Sequence, residues 1–284
     1  MIEINAQTRL CGVIGNPVEH SLSPAIHNAA FQKLQLNYVY LAFKVEDLAA
    51  AIPGLRALGN ARGFSVTIPH KVAVLPYLDE IEPTAAQIGS VNTIVVENGR
   101  LIGHNTDASG ALRALQEART DLQGQRVLML GSGGAARAIA FALATAKIAG
   151  LTILGIDAAE RSRLSADLKA KTSLAVTEGP LQEGAMEAAL QDHRILLHCT
   201  PIGMSPRHDA SCVPARLLHG PLTVMDIVYN PLETKLLREA KAAGCRTIRG
   251  IEMFLNQAVA QFELWTHHPA PSDVMRAVLE SRFS

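Results

Sequence analysis

The stretch RVLMLGSGGAARAIAFALATAKIAGLTILGID, residues 126–157, decides the fold. It opens with an apolar run, turns through Gly131-Ser132-Gly133-Gly134, continues as an alanine-rich helical pattern and closes on a second apolar run. That order is strand, glycine turn, helix, strand. Gly131, Gly133 and Ala136 occupy the three positions of the G-x-G-x-x-G/A fingerprint: the first allows the tight turn, the second lets the backbone approach a pyrophosphate, and the third lets the helix pack on the strand. A helix beginning at Ala135 presents free N–H groups and the positive end of its dipole to such an anion. The segment therefore predicts a Rossmann-like βαβ unit that binds a dinucleotide through Gly131, Ser132, Gly133, Gly134 and Ala135. Asp157 ends the second strand about 20 residues beyond Ala136, where an acidic side chain accepts hydrogen bonds from the adenosine ribose. That favours NAD, with NADP left open because Arg161 and Arg163 follow one turn later and suit a 2′-phosphate. A structural alternative is that Asp157 caps the next helix.

Outward from this unit the strand–helix rhythm continues, with strands expected at residues 195–199, 224–228 and 246–249 and the glycine-turn helix running to about residue 149. Upstream, residues 10–14, 38–43, 63–68 and 93–97 read as strands, and residues 24–34 and 45–58 carry helical spacing. Asn98-Gly99 predicts a tight hairpin between residues 93–97 and 100–103. A helix follows Asp107 towards residue 118, an amphipathic one covers residues 253–265, and a short last helix lies beyond Pro269-Ala270-Pro271. The expectation is an α/β protein of two domains. Residues 1–106 together with 250–284 form an α/β substrate-binding catalytic domain, and residues 107–249 form the dinucleotide-binding domain on a parallel sheet.

Composition fits that reading and narrows the function. A chain of 284 residues is long for one core, and 48% hydrophobic against 18% charged residues suits buried parallel sheets rather than disorder. Lys plus Arg and Asp plus Glu are both 26, so no net field draws a polyanion and no nucleic-acid partner is expected. Cys11, Cys199, Cys212 and Cys245 show no paired spacing, which reads as reduced cytosolic thiols. With no secretory pattern at the start and no apolar run of bilayer length, the expected location is the cytoplasm, without a membrane partner. The histidines, including His20, His27, His70, His104 and His267-His268, have no helix-spaced ligand pattern, so no metal is expected.

Four motifs in the first third carry the chemistry: GNPVEHSLSP at residues 15–24, GFSVTIPHK at 63–71, GSVNT at 89–93 and GHNTDASG at 103–110. With CTPIGM at 199–204, DIVYNP at 226–231 and GIEMFLNQ at 250–257, they make nearly the whole chain resemble the shikimate dehydrogenases. The resemblance implies an NAD(P)-dependent alcohol dehydrogenase of aromatic amino acid biosynthesis, monomeric or homodimeric, acting on a small ring carboxylate such as shikimate. It puts Lys71 and Asp107 at the reacting carbon, Ser21 and Ser23 on the carboxylate, and Thr67, Asn92, Tyr229 and Gln257 around the ring. It also adds Thr200, Met204 and Gly250 to the cofactor site. The residue types agree, because a ring with several hydroxyls needs many short donors and acceptors. Reduction of a ketone leaves an alkoxide, which an ammonium stabilises and protonates. Lys71 either hands over that proton itself or chiefly polarises the carbonyl while a coupled pair or water exchanges protons.

Bland readings stand beside these. Lys71 suits a solvated surface charge, Asp107 an N-cap, Ser21 and Ser23 a helix start before Pro24, and Met204 a core position. The chain departs from the pattern of resembling members at three places. Ser65 stands where most bacterial members carry Asn, His198 replaces an Asn, and Gly155-Ile156-Asp157 replaces the Asn-Arg-Thr that holds a 2′-phosphate. Quinate or an aminoshikimate analogue is an alternative substrate, since a polar pocket rejects one extra hydroxyl only modestly. A silent ligand-sensing regulator is the alternative from another class, and a folate-type dehydrogenase lacks the Ser21 and Lys71 motifs.

Overall fold

The computed structural model describes residues 3–283. The chain divides into two compact units, Met1–Thr106 with Gln257–Ser284, and Asp107–Asn256.

The first unit is built on β1 (Arg9–Gly15), α1 (Ser23–Lys33), β2 (Tyr38–Lys44), α2 (Leu48–Ala57), β3 (Ala61–Val66), the single turn α3 (His70–Ala73), β4 (Glu80–Ile81), α4 (Pro83–Ile88), β5 (Thr93–Glu97) and β6 (Arg100–His104). Its six strands lie in the order β2-β1-β3-β5-β6-β4. β1 runs parallel to β2 and β3, whereas β5 is antiparallel to both β3 and β6. The β5–β6 reversal is the predicted hairpin: Asn98 and Gly99 have φ of 52° and 77°, the left-handed pair that a two-residue turn requires. Two expectations shift. The strand expected over residues 63–68 starts at Ala61 and stops at Val66, and the helix expected from residue 45 starts at Leu48, because Asp47 caps it by accepting from Ala50 N at 3.1 Å.

The second unit contains α5 (Thr106–Glu117), whose first residue belongs to the first unit, then β7 (Arg126–Leu130), α6 (Gly134–Thr145), β8 (Gly150–Gly155), α7 (Ala158–Lys171), β9 (Val176–Pro180), α8 (Glu183–Leu190), β10 (Ile195–His198), β11 (Thr223–Asp226), α9 (Lys235–Ala242) and β12 (Arg246–Ile248). All six strands are parallel, in the order β12-β11-β10-β7-β8-β9. The order reverses between β7 and β10, the switch point at which open α/β sheets bind ligands. Val127 to Leu130 are all fully buried, as a strand covered on both faces must be, and this explains the unbroken apolar run. α6 ends at Thr145 instead of near residue 149, since Lys147 turns the chain with φ 57°.

α10 (Gly250–Thr266) carries the chain from the second unit back into the first, and α11 (Ser272–Ser281) packs there on α1. Trp265, near the end of α10, is buried and donates its indole N–H to Ile94 O at 3.0 Å. Gly63 is what admits it: a Cβ there would stand 2.0 Å from the indole nitrogen. Trp265 joins His27, Phe31, Tyr40 and Phe262 in one aromatic core, with His27 stacked on Tyr40 at 4.6 Å.

Candidate active site

In the first unit, the pairing of Ile14 with Val66, Ser65 with Thr93 and Thr93 with His104 brings the ends of β1, β3 and β6 and the start of β5 to one end of the sheet. The polar motifs leave the strands at that end. Thr67 follows β3, its N–H donating to Ile14 O at 3.0 Å. Lys71 lies on α3, half-buried, and its carbonyl accepts from Val91 N at 2.8 Å, which fixes the turn against the strand pair. Ser21 and Ser23 flank the start of α1. Leu22, not a serine, is the N-cap, and Ser21 Oγ accepts from Ser23 N at 3.3 Å. Capping by these serines is therefore limited to that one bond.

Asn92 is buried, and its carboxamide braces the start of α5: Oδ1 accepts from Thr106 N at 2.7 Å and Nδ2 donates to Thr106 Oγ1 at 3.0 Å. Gln257 is buried on α10, one turn ahead of Gln261. Gln261 was not foreseen, although its i+4 spacing from Gln257 was the available signal. It donates to Thr93 Oγ1 at 2.9 Å and accepts from Ser65 Oγ at the same distance, and Ser65 in turn accepts from Tyr40 OH at 2.6 Å. The short residue at position 65 thus joins an internal polar chain.

In the second unit, Asp107 is the second residue of α5 and is buried. It lies inside the first turn rather than at the N-cap, where a carboxylate is favoured by the helix dipole. Tyr229 stacks on Phe254 at 4.6 Å, and burial raises its phenol pKa, so the hydroxyl keeps its proton.

The glycine turn sits at the C-terminal end of β7. Gly131 has φ 110°, and a Cβ on it would come within 2.8 Å of Cys199 O. Gly133 is the N-cap of α6, no side chain caps the helix, and the space above Gly134 is open, so the first-turn N–H groups face a cradle that an anion fits. α6 begins at Gly134, one residue before the expected start at Ala135. Ser132 Oγ donates to Glu160 Oε2 at 2.9 Å. Glu160 is a second unforeseen residue. Its signal was Asp157-x-x-Glu160, the spacing of a capping box, although here the glutamate reaches the turn instead. Asp157 does cap α7, accepting from Glu160 N at 2.9 Å through Oδ1. Arg161 is tied to Glu178 at 2.5 Å and to Gly155 O at 2.8 Å. Thr200 follows β10, and Gly250 opens α10 in a buried position. Met204 is 48% exposed on a turn, which rules out the core reading.

Residues 13–94 match the model of the shikimate dehydrogenase substrate binding domain, and residues 250–280 match that of the shikimate 5′-dehydrogenase C-terminal domain. A curated relative from Moorella thermoacetica, a shikimate dehydrogenase (NADP(+)), is 47% identical over 98% of this chain and 95% of its own. The chain belongs to the shikimate dehydrogenase family. Among solved structures, the family's shikimate 5-dehydrogenase from Listeria monocytogenes in complex with shikimate and NAD superposes with a TM-score of 0.93 at 37% identity, covering 98% of this chain and 99% of its own. Quinate dehydrogenase from Corynebacterium glutamicum in complex with NAD gives 0.90 at 32% identity, over 96% and 99%. Members of the family are oxidoreductases acting on an alcohol group. Among the described residues no helix is long and apolar enough to cross a membrane, and no group of three His, Cys, Asp or Glu stands together as a metal site.

Proposed function

We infer that this chain interconverts shikimate and 3-dehydroshikimate with a nicotinamide dinucleotide, and that it favours NAD. The observation that carries the activity is the gathering of Ser21, Ser23, Thr67, Lys71 and Asn92 at one end of the first sheet, in a family whose members reduce such ring acids. When bound, the nicotinamide supplies or accepts the hydride. The hydroxyls of Ser21 and Ser23 bind the carboxylate, and Thr67, Gln257 and Tyr229 orient the ring hydroxyls. Lys71 Nζ holds the proton that the alkoxide oxygen receives, and Asp107 orients that ammonium. Asn92 acts at one remove, by holding Thr106 in place immediately ahead of Asp107.

The preference for NAD rests on the end of β8. Asp157 uses one carboxylate oxygen for the helix cap and keeps the other for the ribose, while Glu160 adds a second negative charge beside the turn. A 2′-phosphate meets like charge there. Arg161, the first of the two cations suited to that phosphate, is already engaged by Glu178 and a backbone carbonyl. In this respect the chain departs from its curated relatives, which are named for NADP(+).

The test is initial rate by nicotinamide absorbance for shikimate and quinate, each with NAD and NADP. The highest kcat/KM is expected for shikimate with NAD. Equal or better efficiency with NADP removes the role of Asp157, activity on quinate alone moves the substrate assignment, and four blanks overturn the reading.

A further inference from the structure

At the ends of β10 and β11 lies a buried polar network that the reaction above does not use. His198 ends β10 with 1% of its surface exposed, and Asp226 ends β11 with none. His198 Nδ1 donates to Asp226 Oδ1 at 2.8 Å. The same carboxylate accepts from Val228 N at 3.0 Å and from the Thr234 hydroxyl at 2.6 Å. An ionised carboxylate only accepts, so Nδ1 carries the hydrogen. The other ring nitrogen, Nε2, lies 2.5 Å from Thr200 Oγ1, which also accepts from Ile202 N at 3.2 Å.

A hydroxyl has one hydrogen and two lone pairs. With Nε2 bare, Thr200 must direct its only hydrogen at the ring. With Nε2 protonated, the ring and Ile202 N–H fill both lone pairs, and the hydrogen of Thr200 is left to point away from them. Burial alone disfavours the charged ring, but the hydrogen bond and charge of Asp226, with a contribution from the Cys212 thiol, outweigh it and hold the His198 pKa above the ordinary imidazole range. The hydroxyl so oriented stands beside the glycine turn: the Thr200 γ-methyl would be 3.2 Å from a Cβ on Gly131, and Cys199 N donates to Leu130 O at 2.8 Å.

We propose that His198, pinned by Asp226, is a positioning residue that turns the Thr200 hydroxyl into an outward hydrogen-bond donor for an acceptor oxygen of the dinucleotide. The proposal rests on the reading of the glycine turn as the dinucleotide site. It gives His198 a reason to stand where resembling sequences carry Asn.

The experiment measures the Kd of NADH by its fluorescence, with no ring acid present, for the wild type, His198→Asn, His198→Gln, Thr200→Val and the His198→Asn/Thr200→Val double variant. Asparagine can still meet Asp226 but is too short for Thr200, so binding is expected to weaken about tenfold, the scale of one lost hydrogen bond. Glutamine places an amide nitrogen near the position of Nε2 and is expected to restore the affinity to within about threefold. Thr200→Val leaves the His198–Asp226 pair intact and is expected to weaken binding as much as His198→Asn, with no further loss in the double variant. If His198 merely pairs with Asp226, asparagine binds NADH like the wild type and glutamine is the worse variant; either result overturns the proposal, as does full additivity in the double variant. A wild type that binds no NADH overturns the dinucleotide reading itself.

Discussion

Lys71 and Asp157 are the residues on which the proposed activity and cofactor choice turn. Lys71 is fixed by its backbone to Val91 on a turn of only four residues, so its side chain can be shortened without dismantling a long element. Lys71→Ala is expected to lower kcat by roughly 10²–10⁴ with a smaller effect on KM if the ammonium holds the transferred proton. A loss of under about tenfold removes it from that role. Asp157→Ser keeps a side chain able to cap α7 while removing the charge, and is expected to move the NADP-to-NAD ratio of kcat/KM upward by about tenfold or more; an unmoved ratio leaves Asp157 as a cap alone. At this scale the sequence singles out Lys71, Asp107 and Asp157 because each brings a distinctive chemistry within a motif. It was not legible at Glu160 and Gln261, because their roles depend on which neighbour the fold brings within 3 Å, and spacing announced only that they share a helix face with a known partner.

Among the elements, the β7–α6 turn is the most demanding, since Gly131 combines φ 110° with a carbonyl where a Cβ would go. Gly131→Ala is expected to cost about 1–3 kcal/mol of stability and to weaken NADH binding, read as a lower Tm and a higher Kd; an alanine variant with both unchanged contradicts the close approach to Cys199. Strands buried on both faces, such as β7 and β10, and the Asn-Gly hairpin were plain from the sequence because apolar runs and left-handed turns leave local marks. β4, with two residues, and β9, with polar Thr177 and Glu178, were missed. Each borrows its strand character from a neighbour, β6 for one and β8 for the other, so neither carries a pattern of its own.

At the scale of the whole molecule, one buried group should cost stability in mild acid. His27 is fully buried among aromatic rings, and neither ring nitrogen has a hydrogen-bond partner among the described residues. Burial lowers its pKa to about 3, against about 6.5 in an unfolded chain. Between these values the unfolded state binds the extra proton, so the folded state is favoured fully above pH 6.5 and loses ground progressively as the pH drops towards 3. From pH 7 to pH 5 the loss from this one group is about 2 kcal/mol. Urea unfolding at the two pH values checks it: the change in stability from pH 7 to pH 5 should differ between wild type and His27→Leu by about that amount, and an equal change in the variant contradicts it.

The pairing of Gly63 with Trp265 joins two stretches of one unit that lie on either side of the second unit along the chain. During translation the order of completion is therefore inverted. The second unit has all of its residues once Asn256 has left the ribosome, while the unit that was begun first still lacks Phe262 and Trp265 from its core. At about 5–20 residues per second, the nascent first sheet must wait, with the seat for the indole uncovered, until α10 has been made.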